Sequence, residues 1–306
     1  MNSNLNSKRK NRYIPNKAAA EFKPTYDWSV QEAKRLYEER KYSFNIDIIH
    51  YIDCIKGMRS FPDNSIDMVI ADPPFGLDFN GKESIYNRNK DNVVAGYKEI
   101  KIENYFEFTD KWIGEIPRVL KNDGGVWIFS GWTNLKDILI ALEKHKLTII
   151  NHIIWKYQFG VFTRKKFVTS HYHILFAVKN KGNYFFNKIE HYPEDVWYIK
   201  RKYHTGIKKN ATKLPINVVL RCIDFGSKPG DLVLDPFMGN GTTATACKGA
   251  YRHYIGFEAN KQLKEIIEWN LSKITLGEYY IPYSERPDEI VSEARKKFGM
   301  ETEIKK

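Results

Sequence analysis

The sequence predicts an α/β fold built on an open sheet, and three observations predict it. Apolar runs of strand length recur at residues 66–71, 126–129, 232–235 and 254–258. Amphipathic stretches of helical period, at residues 105–120, 135–146, 216–225 and 260–274, fall between or after them. One run, Leu232-Val233-Leu234-Asp235, passes directly into Pro236-Phe237-Met238-Gly239-Asn240-Gly241-Thr242-Thr243. A strand, a Gly-x-Gly turn and a helix start in that order form the Rossmann-like arrangement that receives a nucleoside cofactor. The 306 residues, 42% hydrophobic and 14% aromatic, suffice for one large globular domain, or one domain with a small lobe.

In chain order, residues 1–27 are rich in Asn, Ser, Lys and Arg. They read as a mobile basic arm, either touching phosphates or simply solvated. Val30, Ala33, Leu36 and Tyr37 stand at helical spacing within residues 28–44, which predicts a packing helix. Residues 45–53 alternate toward a strand and end at Asp53, which is placed to cap a helix beginning at Cys54 and Ile55. Ile66 to Ala71 reads as a buried strand, and Asp72-Pro73-Pro74-Phe75 ends it abruptly. A carboxylate, a stiff turn with a held carbonyl and an aromatic ring are thus presented at a strand's C-terminal edge, where open α/β sheets bind ligands. Taken alone, the four residues also read as a strand closed by a proline-rich turn.

Residues 76–96 are polar and without clean periodicity. A segment of that length leaving the motif reads as a lid, with Lys82, Arg88 and Lys90 as phosphate contacts and Tyr86 as a stacking ring. The helix at 105–120 is stopped by Lys121-Asn122-Asp123-Gly124-Gly125. Two further strands are predicted at 149–157 and 173–178, and the loop between them mixes Arg164, Lys165 and Lys166 with Phe159, Phe162 and Phe167. Bases interleaved with aromatics suit phosphate contact and base stacking, or mark an exposed hairpin tip. Residues 180–205 hold Trp197, Tyr198, Lys200, Arg201 and Lys202, of which the three bases are further candidate phosphate contacts. Ser227-Lys228-Pro229-Gly230 turns the chain into the glycine-motif strand. The later strand, Tyr254-Ile255-Gly256-Phe257-Glu258, ends in an acid, the position at which ribose hydroxyls are gripped. Residues 287–298, with Gly299 behind them, are punctuated as a terminal helix that docks on the domain or on a partner.

The net charge of +12 points to a polyanionic partner, nucleic acid first. No run of eighteen apolar residues exists, so no membrane span is expected, and the polar, basic start shows no signal peptide. Cys54, Cys222 and Cys247 form no Cys-x-x-Cys pair. Neither a disulfide framework nor a zinc site is expected, and buried thiols in a reducing cytoplasm are.

Asp72-Pro73-Pro74-Phe75, the Gly-x-Gly strand and the acid-tipped strand together resemble the DNA amino-methyltransferases, which methylate exocyclic amines of nucleobases with S-adenosylmethionine. The order, catalytic motif before cofactor motif, resembles their β class, and the likeness spans roughly residues 44–275. It implies a mixed, seven-stranded Rossmann-like sheet with helices on both faces, ending in an antiparallel hairpin. It implies a methyltransferase domain over 28–283, with a catalytic half at 45–180, a short target-recognition segment at 180–210 and a cofactor half at 211–275, before a tail at 284–306. Asp72 and the Pro73 carbonyl would accept the amine's hydrogen bonds, Pro74 would stiffen the turn, and Phe75 would stack on a flipped base. S-adenosyl-L-methionine would meet Asp53, Asp72, Asp235, Pro236, Phe237, Gly239, Asn240, Gly241, Thr242 and Glu258. Thr212 and Lys213 resemble the family's Thr-x-Lys-Pro stretch, although here the lysine is displaced by one place from Pro215. Asp at the motif's head favours adenine N6 over cytosine N4, with Phe75 in place of the commoner Tyr. The resemblance also implies double-stranded DNA as partner, a homodimer, a companion restriction enzyme, and a cytoplasmic, nucleoid-associated protein. None of the cysteines follows a proline, so the Pro-Cys nucleophile of cytosine ring-carbon methyltransferases is absent. A nicotinamide dehydrogenase would need a third glycine where Ala244 stands. A nucleic-acid-binding subunit with a dead site is opposed by intact Asp72, Gly239, Gly241 and Glu258.

Overall fold

The structure, a computed structural model, describes residues 22–74, 100–158, 160, 162–201 and 214–286. Eight strands form one sheet: β1 (Ile48–His50), β2 (Ile66–Ala71), β3 (Leu120–Ser130), β4 (Thr148–Lys156), β5 (His171–Val178), β6 (Val196–Tyr198), β7 (Leu232–Asp235) and β8 (His253–Phe257). Their spatial order is β1-β8-β7-β2-β3-β5-β4-β6. The first five are mutually parallel, β5 runs antiparallel to both β3 and β4, and β6 is parallel to β4. The mixed sheet and its antiparallel hairpin are as expected, but there are eight strands rather than seven. The addition, β6, is three residues long, and its neighbours Glu194, Asp195 and Lys200 obscure its alternation. Trp197 alone is buried in it, and Trp155 reaches across to donate its indole N–H to the Ile199 carbonyl at 2.8 Å.

Seven helices accompany the sheet: α1 (Val30–Glu39), α2 (Cys54–Arg59), α3 (Ile102–Val119), α4 (Leu135–Lys144), α5 (Ile216–Gly226), α6 (Thr242–Gly249) and α7 (Lys264–Ser272), counted among the described residues. Strand alternation sorts the apolar side chains between two cores. Met68, Ile70, Trp127, Phe129, Trp155, Tyr157, Ile174, Phe176 and Val233 face one side, packed on Val218, Cys222 and Ile223 of α5 and on Ala244 and Cys247 of α6. Val69, Ala71, Val126, Ile128, Leu175, Ala177 and Leu234 face the other, covered by Met58 of α2, Trp112, Ile113 and Ile116 of α3, and Ile138 and Leu142 of α4. Full burial of each large side chain contributes about 1.5–3 kcal/mol. Helices therefore cover both faces, as an apolar central strand requires.

One boundary differs from the sequence expectation for a visible reason. Lys121 to Gly124 are not a free turn between helix and strand. β3 already pairs at Leu120 with Ile66, and pairing resumes at Gly125 with Met68, so the intervening residues bulge around Asp67. Asp67 fills that bulge: its carboxylate accepts from Lys121 at 2.5 Å and from the Leu232 N–H of β7 at 3.0 Å. A Cβ on Gly124 would stand 2.8 Å from the Asp67 carbonyl oxygen, which explains the glycine. The helix expected over 260–274 is a 3-10 turn at Lys261–Leu263 followed by α7. All three cysteines are buried free thiols. No described helix is long and apolar enough to cross a membrane. The terminal helix expected at 287–298 lies outside the described residues.

Candidate active site

Four adjacent parallel strands, β1, β8, β7 and β2, each run into a carboxylate at the same sheet edge: Asp53, Glu258, Asp235 and Asp72. Asp53 follows β1 and caps α2, accepting the Lys56 N–H at 3.0 Å. Its capping role is thus realised in the fold, at an exposed position beside the end of β8.

Glu258 follows β8, where its own N–H donates to the His50 carbonyl at 3.0 Å. Its carboxylate is shared between two backbone donors, Gly239 N–H at 2.8 Å and Asn260 N–H at 2.7 Å. Glu258 therefore clamps the glycine turn onto the neighbouring strand. Burial raises its carboxyl above the usual range, and the two N–H groups oppose that rise. The turn is further fixed by Met238 N–H on the Phe257 carbonyl and Gly241 N–H on the Met238 carbonyl, both at 2.9 Å. Gly239 and Gly241 adopt positive φ, +53° and +79°. A Cβ added at Gly239 would meet nothing closer than 3.8 Å, so this glycine faces open space, whereas one at Gly241 would press on Ile267 at 3.0 Å. α6 then begins at Thr242 without a side-chain cap, leaving N–H groups for a ligand. Asn240 and Thr242 are buried, and Asn270 of α7 donates to the Asn240 carbonyl at 2.9 Å.

Asp235 ends β7 and accepts the Phe237 N–H at 2.8 Å. Burial raises its carboxyl to about 7, with Glu258 adding to the rise and the Thr243 hydroxyl and Phe237 N–H opposing it. Phe237 turns to the opposite core and meets Trp112 edge-on at 5.2 Å. Asp72 stands one residue beyond β2. Burial lifts it to about 7 as well, next Asp235 lifts it, and Arg201 opposes them. No hydrogen bond from a described residue contributes to its state, so among the described residues neither oxygen is claimed by a donor. Pro73 is buried behind it and Pro74 partly so. Phe75, Lys82, Tyr86, Arg88, Lys90, Lys202, Thr212 and Lys213 lie outside the described residues.

Because β4 runs parallel to β3, the connection from β4 to β5 lies at the same edge as Asp72. Arg164, Lys165 and Lys166 are exposed there, between Phe162 at 80% and Phe167 at 99% exposure. β6 ends at this edge too, with Lys200 exposed. Arg201 instead turns inward over Trp155, Tyr157 and Tyr172. Sequence reasoning missed this ring cluster and Thr243. The signal was present in Trp155-x-Tyr157, whose period of two puts both rings on one strand face. It also missed Trp132, 64% exposed on the loop after β3 at the same edge.

The fold is shared with known DNA methyltransferases. The M1.HpyAVI–SAM complex superposes with a TM-score of 0.55 at 23% identity, covering 73% of this chain and 98% of that one. The cytosine-N4-specific PvuII DNA methyltransferase superposes with a TM-score of 0.57 at 15% identity, covering 76% and 95%. In sequence, the type II methyltransferase M.HinfI of Haemophilus influenzae is 30% identical over 243 residues, 72% of this chain and 67% of that protein. M.HpaI of Haemophilus parainfluenzae is 30% identical over 238 residues, 72% of each. The DNA methylase family, which groups N6 and N4 methyltransferases, matches residues 66–268. The chain belongs to this family: it is a β-class DNA amino-methyltransferase whose methyl donor is S-adenosyl-L-methionine.

Proposed function

We propose that the protein methylates the exocyclic N6 amine of adenine in double-stranded DNA, at a specific sequence, by direct in-line transfer to a base flipped out of the duplex. The observation that carries the reading is the Asp72 carboxylate, set at the sheet edge with both oxygens unclaimed by the described protein. A nucleobase amine is a poor nucleophile because its lone pair is delocalised into the ring. Asp72 and the Pro73 carbonyl accept its two N–H groups, which turns the lone pair toward the donor and supplies orientation rather than a strong base. Phe75 stacks on the flipped ring.

The residues present fit the donor. Buried Asp235 and partly buried Asp72 and Glu258 form a row in which the described protein provides one opposing cation, Arg201, so a ligand bringing positive charge relieves them. Gly239 leaves open space for close backbone approach. Glu258 and Asp53 hold the nucleoside end, Asp235, Pro236, Phe237, Asn240, Gly241 and Thr242 line the turn, and Thr212 and Lys213 complete the methionine end. When bound, S-adenosyl-L-methionine supplies an electrophilic methyl group. The exposed Arg164, Lys165, Lys166 and Lys200, with Lys82, Arg88 and Lys90, contact DNA phosphates, and the protein works in the cytoplasm on the DNA it binds.

Cytosine N4 is the second reading, since the PvuII methyltransferase, which is cytosine-N4-specific, has a similar fold. Nucleoside mass spectrometry of unmethylated duplex DNA, incubated with protein and S-adenosyl-L-methionine, separates the two. N6-methyldeoxyadenosine is the expected product; N4-methyldeoxycytidine would replace the base assignment, and neither product would remove the reading.

A further inference from the structure

Arg201 belongs by sequence to a basic run, yet its side chain is held by the protein itself. Its guanidinium carbon lies 5.1 Å from the Trp155 ring centroid, 4.8 Å from Tyr157 and 4.9 Å from Tyr172. Its backbone is clasped by one side chain: Gln158 donates to the Arg201 carbonyl at 2.7 Å, and the Arg201 N–H donates back to Gln158 at 3.0 Å. Its Nε is buried without a hydrogen-bond partner among the described residues. A planar, weakly hydrated guanidinium suits such an aromatic box, and an ammonium suits it less.

The box and Asp72 share one face and one edge of the sheet. Met68 and Ile70 of β2 lie in the same core as Trp155 and Tyr157, and continuing that alternation by two residues puts Asp72 on that face. Along the edge, Ala71 pairs with Ile128 of β3 and Ser130 pairs with His173 of β5, the neighbour of Tyr172. Tyr172 in turn pairs with Trp155.

We infer that Arg201 is a positioning residue for methyl transfer: Trp155, Tyr157 and Tyr172 fix its guanidinium as the positive charge facing Asp72, so that the target amine meets a carboxylate and not a neutral acid. The inference rests on the reading of Asp72 as the amine's acceptor. A protonated Asp72 would turn an O–H donor toward the amine's own N–H groups and lose half of the required geometry. The charged groups that bear on Asp72 among the described residues are Asp235 on β7, which favours the neutral acid, and Arg201, which favours the carboxylate; Glu258 on β8 acts on Asp235 behind them. Burial and Asp235 raise Asp72 and Arg201 opposes them, the net position being about 7, so its charge at neutral pH is sensitive to the cation.

The test is the pH profile of single-turnover methyl transfer for the wild type, R201Q and R201K at saturating DNA and cofactor. Loss of an opposite charge moves a carboxyl by about one pH unit or more. R201Q is expected to shift the acid limb upward by about that much, to run about tenfold slower near pH 6.5 and to recover toward the wild-type rate at alkaline pH. R201K is expected to fall between them. An equal loss at every pH overturns the inference, as does an unmoved limb with weaker DNA binding and a shallower salt dependence, which would make Arg201 a phosphate contact. Carbon NMR of aspartate-labelled protein, assigned with D72N, follows the same titration without any turnover. An upward move in R201Q upholds the coupling of Arg201 to Asp72, so that a wild type yielding no methylated base would then count against the proposed function and not against that coupling; an unmoved titration overturns the inference. Should R201Q fail to fold, Y172L loosens the box with the charge retained and is expected to give a smaller shift of the same sign; no shift overturns the inference.

Discussion

The Glu258 carboxylate accepts the Gly239 N–H at 2.8 Å, and so the acid after β8 holds the glycine turn after β7 in place. A residue expected to grip a cofactor thus also shapes the loop on which that cofactor would lie. Glu258→Ala removes both functions, and hydrogen bonds to a charged group contribute about 1.5–3 kcal/mol each. Calorimetry is expected to show about ten- to a hundredfold weaker S-adenosyl-L-methionine binding. Glu258→Gln keeps one acceptor and should lose less. Unchanged affinity in the Ala variant would remove Glu258 from the site.

Asp72→Ala should separate chemistry from binding. It removes the acceptor facing the amine, a loss on the order of a hundredfold or more in the transfer rate, while cofactor affinity stays within a few-fold. A near wild-type rate in a quench assay would refute the catalytic assignment.

The two glycines of the turn should fail differently. At Gly239 a Cβ meets open space, so Gly239→Ala costs only the left-handed backbone, about 1–2 kcal/mol, and its methyl intrudes on the ligand. Gly241→Ala carries the same backbone cost and also presses on Ile267 at 3.0 Å. Melting curves should show the larger loss at Gly241, and cofactor titration the larger loss at Gly239.

Asp235 and Asp231 are both lifted by burial to about 7, against an ordinary aspartate value of about 3.9. The folded protein therefore retains protons that the unfolded chain has released. Their contribution to stability is present below about pH 4 and is lost as pH rises through about 7. Without cofactor, the wild-type melting temperature should fall relative to Asp235→Asn between pH 5 and pH 8. A difference that does not change with pH would mean that Asp235 is already ionised in the folded protein at pH 5.

Replacing Arg164, Lys165 and Lys166 together with Ala should weaken DNA binding evenly across sequences. Each lost phosphate contact lowers the slope of log affinity against log salt by about 0.9. Fluorescence anisotropy at several salt concentrations reads this directly. Cofactor binding should be untouched, because these residues stand on the exposed connection between β4 and β5.

The legible parts of the site were those written in contiguous residues. Asp72-Pro73-Pro74 follows its strand where the proline stop placed it, and the glycine turn and Glu258 follow theirs. Less was visible where partners are distant. The bulge around Asp67 needs Lys121 and Leu232, the latter 165 residues away, and no local pattern announces it. The three-residue β6 carries too little alternation to read. Arg201 looked like a surface base because its sequence neighbours are basic, whereas its spatial neighbours are rings from β4 and β5 and the residue just after β4.

By itself, the sequence determined which residues end strands, which glycines bend the chain and in which order the two motifs occur, because proline, glycine and period-two alternation act within a few residues. Strand order was decided only in the tertiary structure. Setting β7 between β8 and β2 brings Asp235 beside Asp72 and places Glu258 behind it. Burial on that shared edge then raises all three carboxyls, a property of desolvation and charge proximity that no single stretch of chain possesses.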